Sequence, residues 1–340
     1  MTRVTHTEMG SDVSSAAPVR QHCHRSGVHC GSSAIRDLLE FHGLEMTEAF
    51  CFGLGAGLGI TYVEIPDSAA PFIVHVRSMG FEEKVFHTLD VPFAWSSYPD
   101  KDAATNDLHQ ALRDGMPALL LTDIYYLPYF GSNTHFPGHA IVAWQLDEVS
   151  DEVLVSDTER PGLIPVPGNN LADARFSISP PFIHYGNLFA PRSLKLAISA
   201  ERVRDAIVDN AQTLANSGPY SGLAALDTWI VSLPEWQVHD NWRWLLRFAY
   251  QVIEKRGTGG GGFRTMYAEF LLEAGEMLPA VRAAKLVELM QRSAAAWSGL
   301  AALLKMASES DVFPIREIEE ALRHVRTLES LYVHQVISKL

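Results

Sequence analysis

HCGSSAIRDLLEFHGLEMTEAFCFGLGAGLGITY, His29 to Tyr62, is the stretch whose reading decides the fold. Cys30 stands immediately before Gly-Ser-Ser, and Ile35, Leu38, Leu39 and His42 follow at helical spacing. That pattern predicts a helix with Ser32 or Ser33 as its N-cap. A cysteine at this end feels the positive pole of the helix dipole, which favours thiolate over thiol. The placement suits a nucleophile. The plainer alternative is a small buried residue capping a core helix, since free cysteine is among the most buried residue types. Gly43 is a natural C-cap, and TEAFCF predicts a second short helix with Thr47 near its start. The glycines at 53, 55, 57 and 59 match neither G-x-G-x-x-G nor a phosphate-binding loop, which would carry a lysine. They predict close backbone packing beside Cys30.

Working outward, 340 residues suffice for two domains, and 47% hydrophobic with 20% charged residues is a globular composition. A net charge of −13 argues against nucleic acid or an anionic membrane as the main partner. Three cysteines, Cys23, Cys30 and Cys51, are too few for a disulfide scaffold, and their odd number suggests a reducing compartment. The first residues lack the apolar run of a signal peptide, and polar residues such as Asp123 interrupt the most apolar segments. A soluble cytoplasmic protein is expected. His22, Cys23, His24, His29 and Cys30 lie close together, but no second cluster completes a tetrahedral metal set. No metal and no bound cofactor are expected.

Residues 1–20 read as a disordered leader rich in Ser and Thr. Residues 21–195 read as an α+β domain with a mostly antiparallel sheet: helices at the front and around Asn106 to Gly115, then strands in PALLLTDIYY, in a segment beginning at His139, and in EVLVSD. The last two form a hairpin candidate across Glu148 to Asp151, whereas ARFSISPPFIHYGNLFAP is a weaker strand because of its prolines. Helical periodicity dominates from about Ser199, so residues 196–340 read as a domain of roughly six helices, the boundary falling between Pro191 and Ala200.

Cysteine catalysis needs a thiolate, a base that also serves as acid, and a group that orients the base. His139 begins one strand and Asp157 follows the next, so an antiparallel hairpin would set Asp157 beside the outer nitrogen of His139. Cys on the first helix, then His, then Asp on successive strands is the order of papain-like enzymes. Those enzymes supply an oxyanion donor upstream of the cysteine, usually Gln. Here the candidates are His24 and Gln21. Cys23 and Cys51 compete as nucleophile, but neither opens an apolar helix.

The HCGSSAIRDLLEFHG and TEAFCFGLGAGLGITYVE blocks, and FPGHAIVAW with the downstream Asp157, resemble the N-terminal domain of butirosin biosynthesis protein H. GTGGGGFRTMYAEFLLEA, Gly257 to Ala274, resembles the helical domain of unassigned function that usually follows it. The resemblance implies a papain-like fold. It also implies acyl transfer from the phosphopantetheine thioester of an acyl carrier protein to an amine, with Cys30, His139 and Asp157 as nucleophile, acid/base and orienting group. It does not carry over the substrate. In such a reaction Gly259, Gly260, Arg264 and Tyr267 are candidates to hold a carboxylate or phosphate of the acyl donor, and a flexible loop with Arg264 in a structural ion pair is the alternative. An acidic carrier would call for a basic patch, for which Arg160, Arg175 and Arg192 are scattered candidates. A small-molecule thioester, a small-molecule amine and a second copy of the chain complete the expected partners. The same residues would also suit a thioester cyclase, amidase or peptidase. A catalytically silent module binding a metabolite or partner is the reading from another class.

Overall fold

The computed structural model describes residues 23–65, 71–180, 182–216 and 218–340; the leader, with Gln21, lies outside them. Helix α1, Cys30–Phe41, is followed by α2, Glu48–Leu54, whose N-cap Thr47 takes the Phe50 amide on its hydroxyl. Strands β1, Leu58–Glu64, and β2, Phe72–Arg77, pair antiparallel, and α3, Phe81–Thr88, and α4, Lys101–Arg113, come next. A second antiparallel sheet follows, in the order β3, Ala118–Thr122, β4, His139–Asp147, β5, Glu152–Ser156, and β6, Ile164–Pro167. It leads into α5, Gly168–Arg175. The rest is helical: α6, Ala200–Asn216, α7, Gly222–Val238, α8, Trp242–Glu254, α9, Arg264–Met277, α10, Pro279–Ala283, α11, Leu286–Ser308, and α12, Ile315–Lys339. The architecture is α+β with small antiparallel sheets and a helical C-terminal part. No helix among the described residues is long and apolar enough to cross a membrane.

Alternation along the strands of the larger sheet separates two cores. Leu119, Leu121, Ala140 and Val142 join the core that contains Ile35 and Leu38 of α1, while Leu120, Ile141, Val153 and Val155 face Leu108 of α4 and Leu171 of α5. With both faces covered, β3 is buried throughout, which is why its sequence is a continuous apolar run rather than an alternation. The core containing α1 continues without a break into the helical part. Tyr62 of β1 stacks on Trp229 and Trp236 of α7 and accepts a hydrogen bond from Trp236 Nε1 at 2.9 Å.

Several expectations need correction. The N-cap of α1 is His29, not Ser32 or Ser33, so the helix starts at Cys30 and both serines are buried in its first turn. Helix α4 begins five residues earlier than Asn106, where the Asp100 carboxylate accepts the Ala103 amide. The ARFSISPPFIHYGNLFAP run forms no named strand; Leu188 and Phe189 make only single bridges to Ser96 and Leu119. Instead β6 supplies the fourth strand, hidden by Pro165 and Pro167, which an edge strand tolerates because one side of its backbone needs no partner.

Where the helical part meets β1 and β2, Arg264 is fully buried. Its Nε donates to Glu329 Oε1 at 2.8 Å, and its Nη1 donates to the carbonyls of Val76 at 3.0 Å and Gly262 at 2.7 Å. Trp297 lies under the guanidinium at 4.9 Å and also donates to Glu329, as does Ser293. Removing one partner of a buried pair strands the other's charge, at a cost of about 3–5 kcal/mol. Glu329→Ala should therefore lower the urea-unfolding midpoint sharply. Glu319→Ala, which breaks an exposed pair with Arg323, should leave it nearly unchanged.

Candidate active site

The chain enters α1 along the end of β5. Gly27 donates to the Thr158 carbonyl at 2.6 Å, and His24 Nε2 donates to the Arg160 carbonyl at 2.6 Å. Glu48, at the start of α2, accepts the amides of Val28 at 2.9 Å and His29 at 2.7 Å. A side chain at Gly27 would overlap both Ser33 and Glu48, with its Cβ under 3 Å from each. These contacts deliver Cys30 to the end of the sheet where β4 begins and β5 finishes. As the first residue of α1, Cys30 places its own amide at the open end of the helix, where amides have no intrahelical acceptor.

His139 starts β4 opposite Thr122 of β3, whose hydroxyl donates to the His139 carbonyl at 2.9 Å. Its Nε2 lies 2.9 Å from both carboxylate oxygens of Asp157, just beyond β5, which leaves Nδ1 for the sulfur of Cys30. The Asp157 carboxylate also accepts the Tyr129 hydroxyl at 2.6 Å and the Thr158 amide at 2.6 Å. Phe130 stands edge-on against the His139 ring at 5.1 Å and shields it from water.

Burial alone would push the Cys30 thiol up; the hydrogen bond and charge of His139, with help from Arg77 and the Ala140 amide, outweigh it and hold the thiol below its ordinary value. Burial pulls His139 down, but Asp157 and the Cys30 sulfur raise it to about 10. Asp157 is held below the usual carboxylate range, since its bond to His139 outweighs desolvation. The shifts of the three groups run toward thiolate, imidazolium and carboxylate. The other cysteines differ: Cys51 is fully buried and pushed up, and burial also raises Cys23.

Several residues expected at the site lie elsewhere. Both ring nitrogens of His24 are engaged, Nδ1 with Asp37 at 2.6 Å and Nε2 with Arg160, so it staples the chain and offers no oxyanion donor. Arg264 and Tyr267 are sealed in the helical core at 0% exposure and reach no substrate. The glycine loop turns its polar contacts inward, Gly260 donating to Thr258 Oγ1 and Gly261 to Glu254, while Gly259 faces the side chain of Val28. Arg175 is buried and donates to the carbonyls of Ala104, Gly186 and Asn187. Arg192 pairs with Asp114, and Arg160 alone stands beside the site, bracing Tyr129 through its carbonyl. Among the described residues no group of three or more His, Cys, Asp and Glu could hold a metal.

What the sequence reading missed is a polar chain on the other side of Cys30. His29 is 3% exposed, boxed edge-on by Phe52, Phe81 and Phe263 at 5.5, 5.1 and 5.3 Å. Arg77 Nη1 donates to its Nε2 at 2.8 Å, and Arg77 Nε donates to His75 Nε2 at 3.2 Å. Arginine has no acceptor, so both Nε2 atoms must accept. Burial, seconded by Arg77, holds His29 well below its ordinary value and pushes His75 down to about 3, so both rings are neutral. The single proton of His29 then sits on Nδ1, 3.0 Å from Ser32 Oγ, whose hydroxyl in turn lies 3.2 Å from Glu48. Glu82 approaches from α3, its Oε1 3.1 Å from where a Cβ on Gly31 would stand. Nothing local signalled this chain except HVR at the end of an apolar run.

Two families account for most of the chain. Residues 169–336 match a domain of unknown function, beginning at α5, ahead of the helical run. No curated protein matches the chain. Residues 29–158, which hold Cys30, Arg77, His139 and Asp157, match the family model of the N-terminal domain of butirosin biosynthesis protein H.

Proposed function

We propose that this chain is a biosynthetic acyltransferase with a papain-like catalytic arrangement. Cys30 takes an acyl group from a thioester, either the phosphopantetheine arm of a carrier protein or a small molecule, and passes it to an amine. The observation that carries this reading is His139, held at 2.9 Å by Asp157, beside the Cys30 thiol that it lowers, at the open end of α1 and inside the segment that matches the family model.

The thiolate attacks the acyl carbon, and a new C–S bond forms as the carbonyl π pair moves to oxygen. When that pair returns, the original C–S bond breaks, and the departing thiol takes the His139 proton. The amine then attacks the acyl-enzyme, His139 accepts a proton from its nitrogen, and cleavage of the bond to Sγ restores the Cys30 thiolate. Exchange of one thioester for another is nearly thermoneutral, so the difficulty lies in excluding water from the second step. Phe130 over His139 serves that end. Asp157, fixed by Tyr129 and the Thr158 amide, keeps Nδ1 turned toward the sulfur.

A binding module without chemistry gains something from His24, whose ring is spent on packing. It has no use for a lowered thiol. With limiting iodoacetamide at pH 7, Cys30 should be alkylated well before Cys23 and Cys51, at a rate nearly flat across neutral pH. In His139→Ala the rate should fall and regain the upward slope of an ordinary thiol near pH 8.5. Peptide mapping reads both, and equal labelling of the three cysteines sinks the thiolate.

Acyl transfer itself is tested by intact-mass spectrometry after incubation with a panel of acyl thioesters. An acyl adduct should form on the wild type and be missing from Cys30→Ala; Asp157→Ala should slow its formation by roughly 10²–10⁴-fold, the usual contribution of acid–base catalysis. Discharge of the adduct by amines separates transfer from hydrolysis by water or cyclisation within the acyl chain. No adduct from any donor overturns the proposal.

A further inference from the structure

An acyl-enzyme reaction needs a donor for the negative oxygen of its tetrahedral intermediate. The helix end supplies the Cys30 amide, and His24 is excluded by its two bonds. We propose that Arg77 is the side-chain half of the oxyanion site at Cys30, and that His29 and His75 are positioning residues that aim its guanidinium. This rests on the acyl-enzyme reading above.

Geometry carries the assignment. Arg77 closes β2, and its Nη1 is bonded to the ring of the residue immediately before Cys30. Among the described residues no carboxylate lies in ion-pair contact with it, though its charge acts on Glu82; its bonded partners are two neutral imidazoles. A carboxylate at those positions would hold the guanidinium equally well and cancel its charge. A neutral ring nitrogen fixes the donors and leaves the charge, and the Nη2 end has no partner among the described residues. A half-buried arginine held this way is poised for a negative group that arrives later. Its charge already contributes to lowering the Cys30 thiol.

The setting of Arg77 is rigid. A Cβ on Gly59 would lie 2.3 Å from the Arg77 carbonyl oxygen, and Arg264 grips the carbonyl of Val76 beside it. Gly31, next to Cys30, faces Phe81, Glu82 and the His29 ring, each within 3.1 Å of a Cβ there. That lack of side chain lets Phe81, Glu82 and the His29 ring close directly on the helix end beside Cys30. In the first step the π pair of the carbonyl moves onto oxygen, which accepts from the Cys30 amide and from Arg77. When the pair returns and the leaving group departs, both donors are released unchanged.

Two reagents separate an oxyanion donor from a mere thiolate stabiliser. p-Nitrophenyl acetate acylates cysteine through a tetrahedral oxyanion, and its nitrophenolate burst is read by absorbance; iodoacetamide alkylates by displacement and forms none. In Arg77→Gln the burst should slow by about 10²–10³-fold, the usual loss on removing one oxyanion donor, while alkylation changes by less than about tenfold. Arg77→Lys, which keeps the charge and loses the fork held by two rings, should retain alkylation and still lose much of the burst. It also decides the matter if near-UV circular dichroism shows Arg77→Gln to be misfolded. Equal slowing of both reagents assigns Arg77 to the thiolate alone and overturns the proposal, as does an unchanged burst. A wild type that is alkylated readily and gives no burst overturns it together with the acyl-enzyme, whereas a wild-type burst unaltered in both variants overturns the Arg77 assignment alone.

Discussion

The buried pair of Arg264 and Glu329 is the constraint on which the placement of everything near Cys30 depends. A guanidinium withdrawn from water costs several kcal/mol unless its donors are met and its charge is answered. Arg264 meets them with one carboxylate, with the carbonyls of Gly59, Val76 and Gly262, and with the face of Trp297. Those acceptors belong to α12, β1, β2 and the glycine loop, so they must converge for the charge to be tolerated at all. The pair therefore acts less as a source of stability than as a test of assembly. Only when the helical part closes against β1 and β2 are its demands satisfied.

Closure of that kind leaves little room. A Cβ on Gly53 would fall 2.0 Å from the ring of Phe270, on Gly55 2.3 Å from Phe81, and on Gly57 2.5 Å from Phe52. Each glycine in the GLGAGLG block admits an aromatic ring or a backbone. Two of those rings, Phe52 and Phe81, join Phe263 from the glycine loop in the apolar box around His29. A histidine so enclosed stays neutral and can accept from Arg77. The close packing of the helical part is in this way converted into the protonation state of a side chain next to Cys30.

How much of this was legible follows the range of the interaction. The helical run of α1 and the Thr47 cap depend on a few neighbouring residues, and the hairpin of β4 and β5 on a period of two with turn residues between, so their patterns are written locally. The cap position of α1 was misread because serine is the commoner capping residue, whereas His29 occupies it with a ring held by Arg77 of β2 and by distant phenylalanines. β6 was lost to prolines that count against a strand only where both edges are paired. Arg264 was read as a ligand holder because a glycine loop opening a helix looks alike whether it faces solvent or a core. Its partner Glu329 stands 65 residues on. Arg77 gave no signal beyond the HVR that pairs it with His75, since its proposed role is set by His29 and Cys30, far away in the sequence.

Charge conservation within the site ties these pieces together. In the attacking state of the proposed reaction, the thiolate and Asp157 are negative and His139 and Arg77 positive, which balances. Burial raises Glu82 above the usual carboxylate range, and the charge of Arg77 opposes that shift. In the proposed reaction the negative charge of Sγ passes through the acyl carbon to the acyl oxygen, while His139, Asp157 and Arg77 keep theirs. The protein dipoles then face the same total charge in ground state and intermediate, and none has to reorient during the step, which is the condition under which fixed dipoles lower a barrier most. An Arg77 neutralised by a carboxylate would break the balance, leaving the oxygen a partner with no net charge to offer. Two neutral histidines, one of them kept neutral by three phenylalanine rings, avoid that outcome.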